Sequence, residues 1–193
     1  GAPANGGGGG NDRQTGGGGG SNFAPGGDGG QLINAPAGLC GGIYPGFGGW
    51  PLVYSNAENR IWMGGGGGGG SSNLGSSPVA GRGGGIILIK ANTIEGNGFA
   101  IRSNGETIFS IANDDGAPGG GGGGTVLLDV GTIASALTVE VMGGDGGNVD
   151  NSLDGVNCAG PGGGGSGGLL WMSSGALPAG ITLIADGGSS GVT

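Results

Sequence analysis

Seven consecutive glycines, Gly64–Gly70, follow the apolar residues Ile61–Met63 and constrain this chain more than any other feature. Glycine loses more backbone entropy on ordering than any other residue. Such a run is therefore either a flexible linker or an extended segment held by many backbone hydrogen bonds. Because glycine blocks recur before apolar runs, we predict that they are ordered parts of the fold. The further blocks are Gly6–Gly10, Gly16–Gly20, Gly119–Gly124 and Gly162–Gly165.

The length of the run agrees with this prediction. Extended glycine in the polyproline II conformation rises about 3.1 Å per residue, so seven residues span about 22 Å. A six-residue strand spans about 20 Å. We therefore expect glycine runs to lie beside strands as extended layers whose N–H and C=O groups bond to one another. Collagen is excluded, because the glycines come in blocks and the chain has only 9 prolines.

Composition and charge narrow the possible classes of protein. Hydrophobic residues make up 34% of the chain and charged residues 9%, whereas disordered chains combine low hydrophobicity with high charge. The net charge of -8 argues against nucleic acid as a partner, since binding to phosphate depends on basic patches. No apolar run approaches the roughly 20 residues that span a bilayer, so we expect no membrane span. The chain opens without Met, which suggests a processed product or part of a larger parent polypeptide.

An approximate repeat appears when the glycines are used as anchors. The segments Gly83–Gly105, Gly122–Gly144 and Ser166–Gly188 each read glycines, an apolar strand, a turn and a second strand. Their anchors, Gly85, Gly124 and Gly168, lie 39 and 44 residues apart. The first strand, Ile86–Ala91, is apolar on both faces, which predicts that it is covered on both sides. Further candidate strands are Gln31–Asn34, Trp50–Tyr54, Arg60–Met63 and Thr107–Ala112.

These patterns predict an all-β fold, because β-branched and aliphatic residues favour strands and glycine blocks break helices. The architecture we expect is a repeat-like β-sandwich or β-helix-like stack, with polyglycine segments of polyproline II type packed as extended layers. Residues 83–193 would hold the three strand-turn-strand repeats. Residues 1–82 would form a glycine-rich N-terminal part packed on the repeats, within one continuous domain.

Little in the sequence points to catalysis. The chain has no histidine, which removes Ser-His-Asp and Cys-His catalysis and the common zinc sites. We expect neither an enzyme nor a bound cofactor. Calcium is a weak candidate, because hard cations take several oxygen ligands and one glycine-rich loop contains Asp145, Asp150 and Asp154. The alternative is that these residues form turns through local hydrogen bonds.

Two cysteines and one aromatic stretch complete the candidate residues. Cys40 and Cys158 form no local CxxC motif. They form either a disulfide, which is our preferred interpretation for an extracellular protein, or two buried unpaired thiols. The stretch "IYPGFGGWP" concentrates Tyr44, Phe47 and Trp50 among turn residues, which makes them candidate ligand contacts.

The order of these motifs resembles a glycine-rich module of very large secreted surface proteins of Bacteroidetes, of adhesin or gliding-motility type, exported by type 9 secretion. The resemblance covers roughly Arg60 to Thr193 and is most specific in "GGGIILIKANTI" and in "CAGPGGGG" followed by "LPAG". It implies a cell-surface or extracellular location and a structural or adhesive role in a filament. It supplies no catalytic residues. Self-association is one expected mode of assembly, because flat glycine surfaces and unpaired edge strands can pair with copies of the chain.

Glycine blocks separated by variable loops also resemble glycine-rich phage tail adhesins. This second resemblance implies a receptor-binding or glycan-binding tip domain, whose partner would be a cell-surface glycan. The sequence leaves both functions open.

Overall fold

The computed structural model describes residues 4–31, 43–55, 60–72, 78–113, 115–152 and 159–193. These residues contain no helix, and every strand pair among them is parallel. The prediction of a β-rich fold is confirmed at this level. The strands are β1 (Ile86–Glu95), β2 (Ala100–Arg102), β3 (Ala112–Asn113), β4 (Thr125–Ser135), β5 (Leu137–Glu140), β6 (Val149–Asp150), β7 (Leu169–Met172) and β8 (Ile181–Ile184).

The strands pair from one repeat to the next. The first sheet has the order β1-β4-β7, the second β2-β5-β8, and a short third sheet joins β3 and β6. Each of the three aligned segments thus gives one strand to each of the two larger sheets. The register places like residues side by side, since Thr93 pairs with Thr132 and Ile94 with Ile133.

A side-chain core lies between the first and second sheets. Val126 and Leu128 of β4 are fully buried there, against Val139 and Leu137 of β5 and Ile181 of β8. Full burial of one such side chain stabilises the fold by about 1.5–3 kcal/mol. This core therefore packs the first and second sheets against each other.

Two ion pairs join neighbouring strands at directly paired positions. Lys90 Nζ lies 3.0 Å from Asp129 Oδ2, and Arg102 Nε lies 2.7 Å from Glu140 Oε2. The hydrogen bond from Lys90 lowers the pKa of Asp129, and that from Arg102 lowers the pKa of Glu140. The exposed pair of Lys90 and Asp129 adds little stability. The pair of Arg102 and Glu140 is more shielded, since the Glu140 side chain is only 15% exposed. Both pairs favour the observed register over a shifted one.

The glycine blocks form a second core, made of backbone. Three inner segments, 15–22, 116–124 and 162–168, are buried throughout. Within 116–124 the amides of Gly119, Gly120 and Gly121 donate to three different neighbouring segments. The amides of the next three residues donate to the same three segments in the same order. Their acceptors are the carbonyls of Gly68, Gly163 and Glu106, then Gly65, Ser166 and Ser103. A period of three is what an extended chain with three residues per turn produces.

The run at 64–70 belongs to this bundle as an outer segment. The amide of Gly67 donates to the carbonyl of Gly81 at 2.8 Å, and that of Gly68 to Gly18 at 2.7 Å. A Cβ atom on Gly67 would lie 2.0 Å from the carbonyl oxygen of Gly119, whereas one on Gly69 would meet nothing within 4 Å. The run therefore turns two faces to the protein and one face to solvent.

Some of the candidate strands are wrong. Residues 50–54 and 60–63 lie outside the strands, because they bond to the glycine bundle and its buried polar residues instead of a strand partner; the amide of Leu52 donates to Asn22, for example. Of Thr107–Ala112, only Ala112 belongs to a strand, β3. The candidate Gln31–Asn34 lies outside the described residues except for Gln31.

Candidate functional site: an aromatic ridge

The three aromatic residues singled out in the sequence lie on one edge of the glycine bundle. Tyr44, Phe47 and Trp50 are 62%, 59% and 71% exposed, and Val53, three residues further on, is 82% exposed. Three residues of extended chain advance about 9 Å. The four side chains thus form an outward-facing row, which we call the aromatic ridge (Tyr44, Phe47, Trp50 and Val53).

The residues between the ridge positions explain why the rings face outward. The amides of Gly46 and Gly49 donate inward to Gly16 and Gly19, both at 2.8 Å. A Cβ atom on Gly46 would lie 2.0 Å from the carbonyl oxygen of Gly8, so that position excludes a side chain. Glycine faces the bundle and a large side chain faces solvent, at a fixed spacing of three.

A cavity of about 650 Å³ opens beside the ridge. Phe47 and Trp50 line it together with Pro25 and Asp28, while Tyr44 lies outside it. Asp28 Oδ1 accepts a hydrogen bond from the amide of Gly48 at 2.7 Å, which fixes the carboxylate at the rim. Apolar ring faces with a few placed polar groups are the usual composition of a small-ligand site. Here the rings offer stacking faces, and the carboxylate offers a hydrogen-bond acceptor.

A buried polar cluster joins the glycine bundle to the first sheet. Asn22 is completely buried, and its Nδ2 donates to the carbonyl of Gly123 at 2.8 Å. The Tyr54 hydroxyl donates to Asn22 Oδ1 and lies 3.0 Å from Thr125 Oγ1. Thr125 Oγ1 donates to the carbonyl of Trp62 at 2.7 Å. Burial is the largest influence on the pKa of Tyr54 and raises it above its ordinary value.

The raised pKa of Tyr54 predicts a loss of stability in alkali. Its contribution is fully present below the ordinary pKa of 10.0 and is lost as the pH rises through the higher folded-state pKa. In urea unfolding at pH values from about 8 to 11, we expect wild type to lose more stability than Tyr54→Phe. Tyr44→Phe, at an exposed position, serves as the matched substitution and should follow wild type. Equal losses in wild type and Tyr54→Phe would contradict this assignment.

Sequence reasoning missed a second apolar cavity, of about 370 Å³, on the outer face of the first sheet. Leu88, Leu127 and Trp171 are register partners on that face, and Tyr54 and Ile61 cover it in part. The expectation that β1 is covered on both sides is only partly met, because Leu88 stays 62% exposed. The usable signal was the apolar residue at the same position of each repeat.

The acidic residues considered for calcium bond to backbone amides. Asp145 Oδ1 accepts from the amide of Ser189 at 2.7 Å, and Asp150 Oδ1 from that of Ser152 at 2.9 Å. The hydrogen bond from the Ser152 hydroxyl, and after it the bond from the Ser152 amide, lowers the pKa of Asp150. Asp154 lies outside the described residues. Within the described part of the chain, no three His, Cys, Asp or Glu side chains converge as a metal site requires.

The proposed disulfide partners, Cys40 and Cys158, also lie outside the described residues. For membrane spanning, the described ranges contain no helix that is long and apolar enough to cross a bilayer.

Comparison of the chain with models of protein families, with curated proteins and with solved structures gives no match in any of the three.

Proposed function

We propose that this chain is a non-catalytic structural module of an extracellular filament or cell-surface adhesin, of the kind carried by large surface proteins of Bacteroidetes that use type 9 secretion. For the fold, we propose a β-helix-like stack of three repeats that continues into a bundle of polyglycine segments of polyproline II type. Residues 1–82 and 83–193 then make one continuous domain, with the first part packed on the second.

The glycine bundle is the observation that carries this proposal. Its inner segments are bonded in three directions in turn, so each is held by neighbours on several sides rather than by one partner strand. Glycine loses the most entropy on ordering, so the hydrogen bonds of the bundle offset a large cost. A stiff bundle with a glycine interior, which displays side chains at a fixed spacing on its surface, suits a scaffold.

Immunogold electron microscopy of intact cells that produce the chain tests its location. Antibodies raised against the purified chain should label the outside of unpermeabilised cells or filaments that extend from them. Antibody preabsorbed with the purified chain gives the background. Labelling that appears only after permeabilisation would overturn the proposal.

A second candidate function, a receptor-binding or glycan-binding tip, is favoured by the aromatic ridge. Monomeric proteins seldom expose several large apolar side chains side by side without a partner. Phe47 and Trp50 border a cavity whose rim holds the carboxylate of Asp28. Stacking on ring faces together with one acceptor for hydroxyl groups fits a saccharide, and the row of rings fits an extended chain of sugars.

Changing the ridge should therefore weaken glycan binding. On a glycan array, wild type should bind a defined set of saccharides, and Trp50→Ala or Phe47→Ala should weaken binding about 30-fold, equivalent to about 2 kcal/mol for a central aromatic contact. Phe99→Ala is the control, since Phe99 is also exposed, at 74%, but lies away from the ridge. Equal loss in Phe99→Ala, or no binding by wild type, would leave the scaffold function alone.

A further inference from the structure

Two inner segments of the glycine bundle are surrounded completely. Segment 116–124 shares backbone hydrogen bonds with six neighbours, namely 15–22, 64–71, 81–84, 103–106, 141–147 and 160–168. Segment 15–22 also has six, namely 5–8, 26–30, 44–50, 64–71, 116–124 and 160–168. Six neighbours are what close packing of parallel rods produces, so both positions are filled.

Segment 160–168 has only five such neighbours: 15–22, 26–30, 116–124, 141–147 and 186–191. Its amides also fall into three sets, each made of every third residue. One set donates to segment 15–22 and its flanking residue Gln14, and a second set donates to segment 141–147. The third set consists of Pro161, which has no N–H group, and of Gly164 and Gly167.

The amides of Gly164 and Gly167 find no acceptor among the described residues, although both residues are buried. The corresponding set in 116–124 is Ala117, Gly120 and Gly123, and all three donate to the next segment along, 160–168. These two donors are the ones in the set that no described neighbouring segment uses, so they mark the place of a sixth neighbour.

An open groove occupies that place. It has a volume of about 330 Å³ and runs along residues 164–168, between residues 23–27 on one side and 185–190 on the other. Glycines line both walls close to the unused donors. A Cβ atom on Gly27 would lie 3.2 Å from the amide nitrogen of Gly164, and one on Gly187 would lie 3.8 Å from that of Gly167.

Segment 81–84, at the opposite side of the bundle, does not fit into the groove of a second copy. A Cβ atom on Gly121 would lie 1.9 Å from the carbonyl oxygen of Arg82, so glycine is required where one segment faces the preceding one. In segment 81–84, Arg82 occupies the position equivalent to Gly121 of segment 116–124. The Arg82 side chain is 86% exposed. If this segment of a second copy entered the groove, Arg82 would collide with the carbonyl of Gly165.

We propose that this groove binds one extended glycine-rich segment of another polypeptide, which completes the packing around residues 160–168. Carbonyl groups at every third residue of the incoming segment accept from Gly164 and Gly167, and glycine is required where that segment faces Gly165. Main-chain hydrogen bonds supply affinity, as they do when a peptide adds to the edge of a sheet. The inference is independent of the protein's location and of the aromatic ridge.

A synthetic peptide tests the proposal. The sequence GPGGGGSGG, taken from residues 160–168, is the segment that fills the equivalent place beside 116–124. Labelled with a fluorophore, it should bind the full chain saturably in an anisotropy titration. In NMR spectra of the chain, the amide signals of Gly164 and Gly167 should shift on binding, while that of Gly163, already bonded to Gly17, should shift less.

Matched variants separate binding in the groove from non-specific binding. Gly187→Val should weaken binding at least tenfold, because the valine side chain fills the groove. Its Cβ atom would lie 3.3 Å from the carbonyl oxygen of Gly165, which a small local shift accommodates. Gly69→Val, on an open surface elsewhere, should bind like wild type. A peptide with valine at its sixth position should not bind. The proposal is overturned by absent binding, by equal binding of the valine peptide or Gly187→Val, or by self-association of the chain that the peptide displaces.

Discussion

Gly67→Val is expected to lower the free energy of unfolding by at least about 3 kcal/mol, the upper range for overpacking a filled site. Its Cβ atom would lie 2.0 Å from the carbonyl oxygen of Gly119 and 2.5 Å from the carbonyl carbon. Backbone atoms cannot turn aside as a flexible side chain can, so segment 64–71 must move away from 116–124. That movement also breaks the hydrogen bond from Gly67 to Gly81. Urea unfolding of the purified chain measures the effect.

Gly69→Val is the control within the same run. No atom lies within 4 Å of its Cβ position, and Gly69 is not among the glycines with positive φ. Its unfolding free energy should stay within about 0.5 kcal/mol of wild type, as for most surface substitutions. If the two valine variants unfold alike, the run behaves as a linker and the packed bundle is wrong.

Asn22→Ala is expected to cost about 3 kcal/mol, because it removes one partner from a buried polar cluster. The change leaves the carbonyl of Gly123 and the hydroxyl of Tyr54 without Asn22, and it opens a cavity where the bundle meets the first sheet. The free energy of unfolding and the near-ultraviolet signal of Tyr54 report the change.

Asn148→Ala is its counterpart at the surface. Asn148 Oδ1 also accepts from a backbone amide, that of Val192, at 2.9 Å, but the residue is exposed and water replaces the lost bond. This variant should lose no more than about 0.5 kcal/mol. Equal losses at the two asparagines would show that the buried cluster has no special role in joining bundle and sheet.

The strands were the part of the fold that could be predicted from the sequence. Side-chain pattern carries that information, and residues 86–91, 137–141 and 181–184 show it in β-branched and aliphatic residues. The repeat anchors Gly85 and Gly124 also precede the register pair Ile86 and Thr125. Strand ends were less predictable, since β1 continues to Glu95 through residues with weak apolar pattern.

The arrangement of the glycine bundle could not be predicted, because a run of identical residues hides its own period. In 116–124 every third amide donates to the same neighbouring segment, yet six of its residues are the unbroken block 119–124. The period shows in outer segments, where "PGGDGGQ" at 25–31, "YPGFGGW" at 44–50 and "MGGDGGN" at 142–148 place a side chain at every third position. These motifs were the available signal.

The residues of the candidate site could be identified from the sequence, but their spatial arrangement could not. Tyr44, Phe47 and Trp50 stood out as aromatic residues in a glycine-rich stretch, and all three are exposed. Their common edge depends on Gly46 and Gly49 facing the bundle, which requires knowing the partners at Gly16 and Gly19. Asn22 carried no signal at all, because nothing local distinguishes it from a turn asparagine.

A core built from backbone changes how stability responds to temperature. Exposing apolar surface on unfolding raises the heat capacity by about 0.45 cal/K/mol per Å², whereas exposing polar surface lowers it by about 0.26. Unfolding the glycine bundle exposes mostly peptide groups, so the heat-capacity increment of this chain falls below the usual 12–15 cal/mol/K per residue. Its stability curve is correspondingly flat, and cold denaturation is displaced to lower temperature than in a domain of the same size with a hydrocarbon core.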